Sequence, residues 1–268
     1  MAHENRLTNR HVLIFGGTSG IGFATASMAL SNAANVTISG SRQPKVDDKV
    51  TLLRSFYPSL PSDKVAGFAL DLSDTVNLEK GLIDVFEKAT NGGEKKVDHI
   101  VFTATGDING KPTVETVDPA TVFDGFKVRW LAPVIIAKVL ATNPGKYMPV
   151  SHKSSVTVTG GTNTVKPMPG WSIAAAWGGA TDGLVRGMAV DMKPIRWNQV
   201  EPGAVQTELL QGYLEMLGPD GLEKMKREGG VTGELGQPED LAEAYGWLMR
   251  DWFVTGKTAS SDGGRLLV

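Results

Sequence analysis

The chain has 268 residues, 41% of them hydrophobic, with a formal net charge of −2 and no cysteine. That length accommodates one large α/β domain. The charge balance disfavours nucleic acid as a partner, and the missing cysteines exclude disulfide and thiolate chemistry. No apolar run approaches the roughly 18 residues of a membrane span, and the polar start MAHENRLTNR lacks a signal-peptide core. The expectation is a cytoplasmic protein with no membrane partner. The histidines (His3, His11, His99, His152) show no ligand spacing, so no metal site is expected.

The first predicted strand is His11–Phe15, followed by a turn and a helix over Gly20–Ser31. Gly16, Gly20 and Gly22 give the turn a G-x-x-x-G-x-G spacing. Glycine allows a backbone to approach phosphates, and a helix N-terminus favours negative charge. After a strand and before a helix, that pattern points to a dinucleotide pyrophosphate cradle. The second strand, Asn35–Ser39, leads into Ser41, Arg42 and Lys45, with no acid before Asp47. An acid there would hold a ribose hydroxyl and a base would hold a 2′-phosphate, so NADP(H) is favoured. The third strand, Lys64–Leu70, places Asp71 to meet an adenine edge, and a helix is expected over Asp74–Thr90.

Strand four, Val97–Phe102, runs into TATGDING, which carries Asp107. Helix Ala120–Ala141 contains Arg129, whose fixed fork of donors suits a carbonyl or an anion. Strand five is Ser154–Thr159, and helix Trp171–Met192 begins with Trp171 and carries Trp177. An indole there can stack on an aromatic substrate or stabilise a cation. Strand six, Ile195–Val200, ends at Glu201, where a carboxylate in an apolar cleft gains proton affinity and can act as acid or base. Segment 208–230 is too long for a turn; its position makes it a lid, and the alternative is a surface helix pair. Helix Pro238–Arg250 and a strand near Lys257–Ser260 complete the pattern. The alternation predicts a single-domain Rossmann fold over 1–268, an α/β doubly wound parallel sheet of about seven strands.

The pieces FGGTSGIG, LDLSD, EPGAVQTEL and TGKTASSDGG together resemble the short-chain dehydrogenase/reductase family over almost the whole chain. The resemblance implies cofactor contacts from Thr18, Ser19 and Ile21 in the glycine turn, from Leu72 beside Asp71, and from Thr103 and Ala104. It also implies that Pro202, Gly203, Val205 and Thr207 lie against the nicotinamide. Helices 120–141 and 171–192 would form the face of a homo-oligomer, a dimer or tetramer. The family's proton relay is a Tyr and a Lys four residues apart, and those positions fall on Ala174 and Gly178. Its serine position falls within Thr159–Gly161, where no serine stands.

Reducing a ketone leaves an alkoxide that needs an acid, whereas hydride addition to an iminium gives a neutral amine. The stretches RWLAP, KPMPGWS and GGATDGLVRGMAVDM are similar to a fungal indole-alkaloid branch of the family. That branch holds the malbrancheamide and paraherquamide reductase/Diels–Alderases and a citrinadin-type Pictet–Spenglerase. In the Diels–Alderases an Arg matches Arg129, a Trp matches Trp171, and the acid lies in Pro-Asp-Pro-Gly-Trp; here Met168 takes the place of that Asp. The expected function is therefore an NADP(H)-binding cyclase acting on an imine or iminium from an indole-bearing amino aldehyde, of Pictet–Spengler type. Glu201 or Asp107 would be the base, which could also epimerise an acidic stereocentre; Arg129 would anchor the small-molecule alkaloid precursor, and Trp171 would flank it. The alternatives are an NADPH-dependent iminium reductase with an intramolecular [4+2] step, and a non-catalytic NADP(H) sensor.

Overall fold

The computed structural model describes residues 2–106, 112–217 and 220–268. Its centre is one sheet of seven parallel strands in the order β3-β2-β1-β4-β5-β6-β7. The strands are β1 (His11–Phe15), β2 (Asn35–Gly40), β3 (Val65–Ala69), β4 (His99–Phe102), β5 (Ser155–Thr159), β6 (Arg196–Pro202) and β7 (Thr258–Ser261). Strand order runs outward from β1 on one side and from β4 on the other. The crevice between these two carboxyl ends is where open parallel sheets bind ligands.

The helices are α1 (Gly20–Ser31), α2 (Gln43–Phe56), α3 (Leu78–Thr90), α4 (Asp124–Phe126), α5 (Ala132–Thr142), α6 (Ser172–Asp191), α7 (Glu208–Leu217), α8 (Gly221–Glu228) and α9 (Pro238–Arg250). They cover both sheet faces, so the central strands are buried on both sides. In β1, Val12 and Ile14 face a core shared with α1, α2 and α9, whereas Leu13 and Phe15 face one shared with α3, α5 and α6. No described helix is long and apolar enough to cross a membrane.

Strand β1 and helices α1 and α9 have the bounds read from the sequence. Helix α9 begins where Pro238 tolerates the missing N–H and where Gln237 and Asp240 form a capping box. Helix α3 starts later than expected, at Leu78, because Asp74 accepts hydrogen bonds from the Asn77 backbone and side-chain amides and closes a turn first. The expected helix 120–141 is interrupted: α4 is one turn, Lys127–Leu131 is a π turn, and α5 follows. Pro133 supplies the reason. A proline ring clashes with the carbonyl four residues back, here that of Arg129, and a widened turn relieves the clash. Segment 208–230 forms the helix pair α7 and α8.

Candidate cofactor and substrate site

The glycine turn is shaped by close packing. A Cβ at Gly16 would lie 2.6 Å from Ala104 N, and one at Gly22 would lie 2.4 Å from both Gly16 O and Thr103 Oγ1. Gly16 also has φ +85 and Gly20 φ +47, values that favour glycine. Thr103 closes the turn on β4, its N and Oγ1 donating to Phe15 O at 2.8 and 3.1 Å. Thr18 is buried against Gly40 at the end of β2.

Ser19 sits at the N-cap of α1 but makes no side-chain cap hydrogen bond. The first N–H groups of α1 therefore have no side-chain acceptor from the cap, and an anion there would complete them. From the opposite side, Thr207 Cγ2 would lie 3.0 Å from a Gly20 Cβ. Gly20, Phe23, Gln206, Thr207 and Glu208 line an open cleft of about 490 Å³. A turn with no room for side chains at Gly16 and Gly22, an open helix start and this cleft fit the pyrophosphate of a dinucleotide.

The sequence-chosen adenosine-side residues lie at the ends of β2 and β3. Ser41 and Arg42 are exposed, and Arg42 is the extended residue that opens α2. Arg42 and Lys45 border a second open hollow with Asp48. Asp71 is exposed, and its Oδ1 accepts from Ser73 N at 2.9 Å and Ser73 Oγ at 2.6 Å, while Leu72 is buried. The Asp71 carboxylate thus folds its own turn, which also presents the neighbouring backbone.

On the substrate side, Arg129 lies on the π turn and donates from Nε to Thr105 O at 3.2 Å. It has no ion pair among the described residues, and burial draws its pKa down to about 10. Asp107 and Ile108 through Lys111 lie outside the described residues. Trp171 stands at the N-terminus of α6 and packs edge-to-face on Tyr213 of α7, ring centroids 6.1 Å apart. Trp177 is a packing residue: its ring fills the space beside Gly125, where a Cβ would lie 2.3 Å away, and meets Phe126 edge-on.

Of the described sequence-chosen carboxylates, Asp71 is exposed and Glu201 is buried. Only 3% of it is exposed, and its Oε1 accepts from Gln199 Nε2 at 3.2 Å. Burial raises its pKa, and repulsion from Asp182 and Asp262 adds to this, against the lowering Gln199 hydrogen bond. Gln199 Oε1 has no hydrogen-bond partner among the described residues. A protonated Glu201 would bring a donor to this pair, which an ionised one cannot.

The linkage sign follows from the raised value. Stability is full below the ordinary carboxylate range and falls as pH rises through the raised pKa of the folded state. Glu201→Gln is therefore expected to melt above the parent at pH 8, by about 2–4 °C for each kcal/mol recovered. The gap should narrow at pH 5. Thermal unfolding at both pH values checks this, and an unchanged or lowered melting point at pH 8 would count against the buried ionised carboxylate.

Residues 3–268 match the SDR-like Rossmann domain model. The chain is 38% identical to the short-chain dehydrogenase/reductase malC of Malbranchea aurantiaca, over 97% of this chain and 96% of that protein. The chain belongs to the short-chain dehydrogenase/reductase family. Among solved structures, the MalC reductase/Diels–Alderase of Malbranchea aurantiaca superposes with a TM-score of 0.89 at 36% identity, over 99% of this chain and 100% of that one. Two more distant members share the fold. One is a Brucella melitensis 3-ketoacyl-(acyl-carrier-protein) reductase complexed with NADH, at 23% identity and TM-score 0.79, over 97% and 99% of the two chains. The other is a Burkholderia cenocepacia J2315 short-chain dehydrogenase in complex with NADP, at 20% and 0.79, again over 97% and 99%.

In this short-chain reductase fold, Ala174 and Gly178 lie on the first two turns of α6. A Cβ at Gly178 would sit 2.0 Å from Thr164 Oγ1, so any side chain there must displace Thr164. Similarly, a Cβ at Gly160 would sit 2.6 Å from Gln199 Nε2. Thr164 and Gln199 are not among the sequence candidates. Gln199 was within reach, because a residue two before Glu201 on a strand shares its face; Thr164 meets α6 only through the tertiary fold. Pro202, Gly203 and Val205 lie at the carboxyl end of β6, where Gly203 packs on Asp262 and Val205 bridges to Gly236. Among the described residues no group of three His, Asp or Glu side chains could hold a metal.

Proposed function

We propose that this chain holds NADP(H) and acts on the iminium of a small indole-bearing substrate rather than on a ketone. What supports the reading is that Ala174 and Gly178, the positions on which the resemblance sets the family's Tyr and Lys, carry no proton donor, and that Thr164 packs against Gly178. An alkoxide product would find no proton donor there, whereas an amine product needs none. The proposed cofactor residues are Gly16, Thr18, Ser19, Gly20, Ile21, Gly22, Thr103 and Ala104 around the turn, with Pro202, Gly203, Val205 and Thr207 opposite. Ser41 and Arg42 would meet a 2′-phosphate, and Asp71 and Leu72 the adenine edge.

Bound NADPH would supply hydride. The chain's own side chains would do the rest. Arg129, charged and poor in partners, would anchor a substrate carbonyl. Trp171 would offer an aromatic wall, and α7, resting on it through Tyr213, would be the lid element. Glu201 would take up or return a proton, with Asp107 as a second candidate. A homo-oligomer built on α5 and α6 belongs to the same proposal.

Two endings are supported by different observations. The match to a reductase/Diels–Alderase over the whole chain favours hydride delivery to the iminium and then an intramolecular [4+2] closure. Met168, where the resemblance places an Asp, and the buried Glu201 favour a Pictet–Spengler closure, in which the indole carbon attacks the iminium and a carboxylate removes the ring proton. Incubation of the protein and NADPH with a tryptophan-derived amino aldehyde tests the reading. Cyclisation above background with altered stereochemistry supports it, and background rate and stereochemistry refute it. One NADPH oxidised per product marks the reductive ending; none marks the other.

A further inference from the structure

The loops that end β5, β6 and β7 are tied together by one side chain outside the residues considered so far. Arg265 Nη1 donates to Thr162 Oγ1 at 2.9 Å, and its Nη2 donates to Asn163 Oδ1 at 2.8 Å and to Lys166 O at 2.9 Å. Lys166 Nζ returns a hydrogen bond to Arg265 O at 3.2 Å. Thr162 is buried, and its Oγ1 donates in turn to Pro202 O at 3.1 Å. The segment that carries Arg265 is itself held on both sides: Gly203 N donates to Ser261 O at 3.1 Å, and Thr232 N donates to Gly263 O at 3.0 Å. Gly263 and Gly264, at φ +63 and +78, turn the chain so that the guanidinium faces the β5–α6 loop.

Among the described residues, every acceptor of this guanidinium lies on the loop at 162–166, which leads directly to Met168 and Trp171. The relay through Thr162 ends on Pro202, the neighbour of Glu201. All of these loops leave the carboxyl end of the sheet, where a parallel α/β fold builds its site. A planar fork of five donors suits this task, since it fixes several acceptors in one plane while a lysine presents a point charge.

We infer that Arg265 is a positioning residue that sets the Thr162–Trp171 wall against the Pro202 strand end. This rests on the proposed placement of the substrate between those walls. The test uses the full chain with NADPH, comparing the parent with Arg265→Met, Arg265→Lys and Thr162→Val. Thr162→Val keeps the volume and removes the relay, so it serves if Arg265→Met folds poorly. Hydrogen exchange followed by mass spectrometry is expected to show residues 160–171 exchanging about tenfold faster in Arg265→Met and Thr162→Val, with α3 unchanged, as for a local opening. Arg265→Lys should recover part of the protection. With an indole-bearing iminium as probe, turnover should fall about tenfold while KM for NADPH stays within about threefold, since small misplacements cost rate steeply. Unchanged exchange over 160–171, or equal acceleration throughout the chain in both variants, overturns the inference. If the parent itself leaves the probe unchanged, the proposed function fails, while a local exchange increase still supports the clamp.

Discussion

Replacing Arg129 with methionine is expected to raise the melting temperature while removing turnover. The guanidinium donates one hydrogen bond, to Thr105 O, and pairs with no carboxylate among the described residues. Burial has already drawn its pKa to about 10, yet it stays charged at neutral pH, so the fold carries the cost of a poorly compensated ion. Replacing whole buried ion pairs with apolar side chains of similar volume is often neutral or stabilising, by about 1–4 kcal/mol, and the part-buried Arg129 has no ion-pair partner among the described residues to lose. At about 2–4 °C per kcal/mol for a domain of this size, a gain of several degrees is expected. The rate should move the other way. Arg129 would hold a substrate carbonyl that lies away from the reacting iminium, and misplacing a bound substrate typically costs about 10²-fold in turnover. Calorimetry beside a turnover assay checks both signs. A lower melting point with unchanged turnover would make Arg129 a structural residue.

The second large effect is expected at the glycine turn. A Cβ at Gly22 would meet Gly16 O and Thr103 Oγ1, both at 2.4 Å, and the first is backbone that cannot rotate away. Gly22→Ala must therefore push α1 off the turn. Overpacking of this kind costs about 1–3 kcal/mol. The α1 N-terminus moves with it, so affinity for NADPH should fall by at least about tenfold, which is about 1.4 kcal/mol. Titration of nicotinamide fluorescence measures the affinity. Unchanged NADPH affinity in a folded Gly22→Ala protein would remove the turn from the cofactor site.

Much of this was legible in the sequence because the signals are local. The strand–turn–helix at 11–31 needs only apolar runs and glycine spacing, and β1 and α1 have the expected bounds. The Pro238 start of α9 was equally direct. The π turn at Lys127–Leu131 is hidden from apolar periodicity, which alone suggests one continuous helix, and Pro133 carries its only local signal. Arg129 and Glu201 were found as isolated candidates. Strand spacing alone puts Gln199 on the face of Glu201, whereas Asp182 on α6 meets it only through the tertiary fold. The clamp by Arg265 spans about a hundred residues of chain to reach Thr162 and Asn163, a separation that no local pattern encodes.

The most direct measurement presents the purified protein and NADPH with a matched pair of substrates: an indole-bearing iminium and the ketone of the same skeleton. Products and NADPH are counted in both reactions. The expected result is accelerated conversion of the iminium, reductively or by ring closure, with no alcohol formed from the ketone. Reduction of the ketone to its alcohol at a comparable rate, one NADPH for each, would contradict it and would require a proton donor that Ala174 and Gly178 do not provide.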